Sequence, residues 1–133
     1  MSLLSSVKFH EGLELKPYLD SVGVLTVGYG RNLDDRGISR EEAEMLLLND
    51  LETSTKEAKK LEFYENLTSN NRRDVIVEMI FNMGLTRFKE FKKTIGYINQ
   101  ANYSAAADEM LDSRWAKQVG QRALTLSNKF RAG

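Results

Sequence analysis

The sequence predicts an α+β chain, mostly helical, with one small antiparallel β-hairpin near its start. Three features carry that expectation. Residues 24–29 (Val-Leu-Thr-Val-Gly-Tyr) form a β-branched, apolar run directly after the turn-forming Asp20-Ser21-Val22-Gly23. From residue 39 onward, apolar side chains recur at helical spacing. The single proline, Pro17, lies before all of that, where it favours extended chain from Lys16 to Leu19.

In order, residues 3–11 suit a short amphipathic helix with Leu3, Leu4 and Val7 on one face. Continued by three and four residues, that face reaches His10 and Glu11. Glu11 is therefore expected on the buried stripe, with Gly12 as the helix terminator. On the strand from Val24 to Tyr29, residues Leu25, Val27 and Tyr29 share one face. Val24, Thr26, Gly28 and Gly30 share the other, which reads as an open surface of small side chains. Asp34-Asp35-Arg36-Gly37 reads as a second turn after a short third strand. Ser39-Arg40-Glu41-Glu42 is a capping box. It opens a helix expected to reach about Leu61. A strongly apolar helix follows, carrying Val75, Ile76, Met79, Ile80 and Met83 and ended by Gly84. Shorter helices are expected around 88–91, 94–100 and 104–113, with a last one around 121–130.

Length and composition narrow the function. At 133 residues the chain is one domain or two closely joined lobes. With no cysteine and one histidine it offers neither a disulfide nor a His/Cys zinc set, so no metal or cofactor is expected. Nineteen basic residues balance nineteen acidic ones, which removes the electrostatic argument for a nucleic-acid partner. The apolar runs are far too short for a membrane span, and Leu3-Leu4 is followed at once by polar residues, unlike a signal peptide. The expectation is a soluble globular chain with no signal peptide of its own and no stable membrane association.

The chemistry concentrates in residues 9–30. Glycosidic hydrolysis needs a protonated carboxylic acid at the leaving oxygen and a carboxylate on the opposite face of the sugar. A buried Glu11 would suit the first role, because desolvation disfavours a charged carboxylate. Asp20, at a turn, would stay hydrated and suit the second. Thr26 would help hold the attacking water. Fully extended, the nine steps from Glu11 to Asp20 span roughly 30 Å, whereas an inverting site wants carboxyl groups roughly 6.5–9.5 Å apart. A reversal near Gly12 and Leu13 is therefore required. Each residue also has an ordinary explanation: a solvated glutamate at a helix end, an Asx turn at Asp20, and β-propensity at Thr26.

Taken together, these residues resemble a known family. Glu11-Gly12-Leu13-Glu14-Leu15, Tyr18-Leu19-Asp20 and Gly23-Val24-Leu25-Thr26-Val27-Gly28-Tyr29-Gly30 are similar to the phage-type lysozymes, the T-even endolysins and their relatives. The likeness continues through Asn82-Met83-Gly84, Ser113-Arg114-Trp115, Gln118, Arg122 and Phe130-Arg131-Ala132-Gly133. It implies a single lysozyme-like domain over residues 1–133. A hairpin-bearing lobe (about 12–50) would be joined by the long helix to a helical lobe (about 60–133) that also takes the first helix. It implies a muramidase cleaving the β-1,4 bond between N-acetylmuramic acid and N-acetylglucosamine, with inversion. Glu11 would be the acid, with Asp20 and Thr26 acting on the water.

The same resemblance points to Tyr18, Gly30, Asn32, Phe81, Thr94, Gln118 and Arg122 as sugar contacts, Arg122 being also a candidate partner of Glu11. Peptidoglycan glycan strands are the implied partner of a monomer made in a bacterial host cytoplasm, which acts on the cell wall after release. The chain departs from the family at Arg31, where histidine is frequent, and there an ion pair with Asp50 is expected. It also departs in the short segment between Gly30 and Ser39, and at Asn32 and Glu109, where relatives carry other residue types. A lytic transglycosylase and a non-catalytic peptidoglycan-binding module are the competing readings. The retained Asp20 and Thr26 weigh against the first, and the retained Glu11 and Asp20 against the second.

Overall fold

Ser2 starts the first helix by accepting a hydrogen bond from the Ser5 amide (3.1 Å), and Gly12, at φ 72°, ends it with its N–H on the Lys8 carbonyl (3.0 Å). This helix, α1 (Leu3–Glu11), opens a computed structural model that describes all 133 residues. The chain divides into two units, Met1–Leu46 and Leu47–Gly133.

In the first unit, β1 (Glu14–Leu19), β2 (Leu25–Gly28) and β3 (Arg31–Asn32) form one antiparallel sheet in that order. Thr26 of the central strand is paired with Tyr18 on one side and Asn32 on the other. The register of β1 is irregular between Glu14 and Tyr18. Pro17 lies there, on an edge strand, where a missing N–H is tolerated. The expected turn at residues 34–37 is instead one helical turn, α2 (Leu33–Arg36). Asn32 converts the turn to helix, because its side chain accepts from the Asp35 amide (2.9 Å) and caps it.

The capping box forms as expected at the start of α3 (Arg40–Ala58). The Glu42 amide donates to Ser39 Oγ (3.1 Å), and the Ser39 amide donates to Glu42 Oε1 (2.8 Å). The helix ends at Ala58 and not near Leu61, because tighter bonds from Lys60 to Glu57 and from Leu61 to Ala58 take over.

The expected Arg31–Asp50 pair does not form. Arg31 grips Glu42 with two parallel bonds, Nη1 to Oε1 (2.7 Å) and Nη2 to Oε2 (2.6 Å), and Nη1 also donates to the Gly37 carbonyl (3.1 Å). Helical spacing shows which carboxylates α3 carries, but β3 lies beside its first turn, so the first-turn acid wins. The guanidinium, and then the Ser39 amide, hold the Glu42 carboxyl at about 2, well below its ordinary value. A depressed folded value means the stabilisation is complete above the unfolded value of about 4.5 and is lost as pH falls toward 2. Thermal melts should therefore show wild type losing its advantage over Glu42→Gln as pH drops from about 5 to 2. A pH-independent difference between them would sink this assignment.

The second unit holds the hydrophobic core. After a 3-10 turn at Tyr64–Asn66, α4 (Asn70–Met83) buries Val75, Ile76, Met79 and Ile80 on one stripe. Gly84, at φ 87°, stops it with its N–H on the Ile80 carbonyl (2.7 Å). Around it lie α5 (Leu85–Phe88), α6 (Lys92–Asn99), α7 (Tyr103–Leu111), α8 (Arg114–Val119) and α9 (Gln121–Ala132). The helix expected at 88–91 is shifted back to begin directly after Gly84, whose carbonyl accepts the Phe88 amide (3.1 Å). Helix α8 was not expected. Only six residues separate the Ser113 cap from Gly120, with Trp115 the single buried one, so no periodicity shows. Arg72 closes the unit. Its Nε and Nη2 donate to the carbonyls of Phe130 (2.8 Å) and Arg131 (3.0 Å), and its guanidinium lies 4.0 Å over the Tyr103 ring. No helix is long and apolar enough to cross a membrane.

Candidate active site

Helix α1 ends at Gly12, at positive φ, and β1 begins two residues later. The Glu11 carboxyl group is thereby brought against Gly30. A Cβ on Gly30 would stand 2.7 Å from Glu11 Oε2, so any larger residue there would have to push the Glu11 carboxyl group aside. Gly30 also sits at φ 79°, a conformation that costs other L-residues about 1–2 kcal/mol.

Gly30→Ala should therefore act twice. Stability should fall by about 1–2 kcal/mol, and lytic activity by about tenfold or more as the new methyl displaces the carboxyl group. A melting curve and a turbidity assay on the same preparation check both. Activity within twofold of wild type would mean the Glu11–Gly30 contact is irrelevant to turnover.

Two expectations about exposure are corrected. Glu11 is exposed and not on a buried stripe, and α1 has no buried residue: Leu3 is 82% exposed and Leu4 67%. Nine residues with an apolar stripe of three leave α1 too little surface to enclose its last side chain. Thr26, expected on an open face, is 5% exposed, the one buried residue among the first 46. Directly paired residues in antiparallel strands project to the same face. The larger Tyr18 and Asn32 side chains therefore flank Thr26, which small neighbours along its own strand did not reveal. Its hydroxyl donates to the Val24 carbonyl (2.9 Å), leaving the oxygen lone pairs to accept a further bond.

Asp20 is half-buried at the β1–β2 turn. Its Oδ1 accepts from the amides of Val22 (2.9 Å) and Val24 (2.8 Å), and its N–H pairs with the Val24 carbonyl (2.9 Å). The Asx turn is thus real. It uses Oδ1 alone, so the carboxylate is fixed in place with Oδ2 unengaged by protein donors.

The remaining candidates fall into separate surroundings. Tyr18, Asn32 and Thr26 form one row across the sheet, with Gly30 at the end of the β2–β3 turn. In the second unit, Thr94 and Gln118 line a hollow of about 580 Å³ together with Trp115, Arg114 and Glu109. The Trp115 indole N–H donates to Asn82 Oδ1 (2.8 Å), which fixes the ring beside that hollow. Phe81 is 39% exposed on α4 and outside the hollow. Arg122 also lies outside it, and its Nε pairs with Glu78 (3.0 Å). Glu78 stands on the neighbouring α4, which packs against α9.

Comparison with known proteins identifies the family. The family model for phage lysozyme matches residues 8–132. Among similar proteins, an endolysin of Acyrthosiphon pisum secondary endosymbiont phage 1 is 33% identical, with 87% of this chain aligned to 80% of that one. Probable T4-type lysozyme 1 of Dictyostelium discoideum is 28% identical over 92% of this chain and 89% of its own. The endolysin of Salmonella phage P22 is 30% identical over 81% and 77%. With a match running from the end of α1 almost to the last residue, the chain belongs to the phage lysozyme family, and is an enzyme of lysozyme type.

Proposed function

We propose that the enzyme hydrolyses the β-1,4 bond between N-acetylmuramic acid and N-acetylglucosamine with inversion, Glu11 giving its proton to the leaving oxygen. Asp20 Oδ2 and the Thr26 oxygen hold the attacking water, and Asp20 accepts its proton as the new bond forms. The observation that carries this reading is the close approach of the Glu11 carboxyl group to Gly30, where an added Cβ would stand 2.7 Å from Glu11 Oε2. The fixed Asp20, with one oxygen committed and the other free, supports the base role. Tyr18, Gly30 and Asn32 in the first unit are proposed sugar contacts, as are Phe81, Thr94, Gln118 and Arg122 in the second. The relatives named as endolysins favour action on a bacterial cell wall, and the proposed enzyme acts there as a monomer.

Mass spectrometry of digested peptidoglycan tests the bond and the reaction together. The expected products carry a hydrated N-acetylmuramic acid reducing end, initially as the α anomer by NMR. Anhydro-muramic products would replace this reading with a lytic transglycosylase. An N-acetylglucosamine reducing end would move the cleaved bond.

A further inference from the structure

We propose that Arg31 is a positioning residue for catalysis, its fork with Glu42 fixing the turn that holds Gly30 against Glu11. This rests on the reading of Glu11 as the proton donor.

Gly28, the last residue of β2, and the turn residues Tyr29 and Gly30 lie within the Val27–Arg31 pair, and both glycines are at positive φ (71° and 79°). Glycine reaches that conformation without strain but contributes no stiffness, so such a turn needs support from outside itself. Arg31, the residue after Gly30, provides it with three hydrogen bonds. Two go to Glu42 and one to the Gly37 carbonyl. The Glu42 carboxylate is in turn held by the Ser39 backbone amide (2.8 Å). The rigid start of α3 is thus linked, through two side chains, to the backbone on which the Glu11 carboxyl group rests. A planar guanidinium engaging both carboxylate oxygens fixes direction as well as distance, which an ammonium cannot do. Misplacing a reacting group by about 1 Å can cost on the order of 100-fold in rate.

Arg31→Met and Glu42→Gln in the full chain should each lower kcat by about tenfold or more with KM within about twofold. The double variant should be little worse than either, because one link is broken in all three. Arg31→Lys, which keeps the charge, should recover little of the loss. Ser39→Ala is the stability control: it removes a cap bond while leaving the fork intact, so it should lower the melting temperature but keep kcat. Two signals, the Gly30 amide and the Glu11 carboxyl carbon, should shift by NMR in Arg31→Met and stay in place in Ser39→Ala. Full kcat in Arg31→Met overturns the proposal, as does a kcat loss in Ser39→Ala that tracks its melting temperature in the same way. Should wild type release no glycan fragments, the catalytic reading fails separately. The NMR comparison still decides whether Arg31 places Gly30 and Glu11, and unmoved signals overturn that.

Discussion

Glu11→Gln should leave a folded protein that no longer clears a peptidoglycan suspension, with the rate down by about 100- to 10,000-fold, the usual contribution of a positioned acid. Glutamine keeps the shape of the side chain over Gly30 but has no proton to give. The variant should fold about as well as wild type. Glu11 is the last residue of α1, and its side chain makes no hydrogen bond or ion pair within the protein that the amide would lose. Its exposed position adds no packing that the amide would lose. Lost activity with an unchanged melting temperature is the expected pair of results. Clearance within tenfold of wild type would remove Glu11 from the acid role.

The largest effect on stability is expected at Phe130. Its side chain is fully buried, its ring meets Tyr103 edge to face with centroids 5.7 Å apart, and it lies within the core shared by α4, α7 and α9. Phe130→Ala should destabilise the protein by about 3–5 kcal/mol, the transfer term plus an incompletely collapsed cavity. That corresponds to roughly 10 °C or more in melting temperature. Phe81→Ala is the natural comparison: the same residue type, 39% exposed, should cost far less. Equal melting temperatures for the two variants would mean that the core is not organised as described.

Local rules made much of the fold legible. Ser39 and Glu42 announced α3 because both partners of the cap lie within one turn of each other. Gly12 and Gly84 ended helices because each supplies a backbone conformation that its neighbours resist. The hairpin was legible for the same reason, its turn residues and β-branched run being adjacent in sequence. The errors came where a choice depended on strands meeting in space. Arg31 had several acids in reach along α3, and the placement of β3 selected Glu42 over Asp50. Thr26 read as open from its own strand because Tyr18 and Asn32, which flank it, come from two other strands. Arg122 took Glu78, a partner 44 positions away. Glu11, Asp20 and Thr26 could be nominated from sequence for the roles proposed above, since they sit in one continuous motif. Their surroundings could not.

Arg72 has a consequence for how the second unit comes apart. The last carbonyls of a helix ordinarily face solvent, and the terminal turn is the first to fray. Here two of them are bound by a guanidinium from a residue 58 or 59 positions earlier, itself stacked on an aromatic ring. Breaking that turn therefore means releasing the start of α4 as well, so the end of the chain belongs to the slowest-exchanging, globally opening part of the protein. The cost is kinetic, because this closure joins distant parts of the chain and its entropy must be spent before the contact gives anything back.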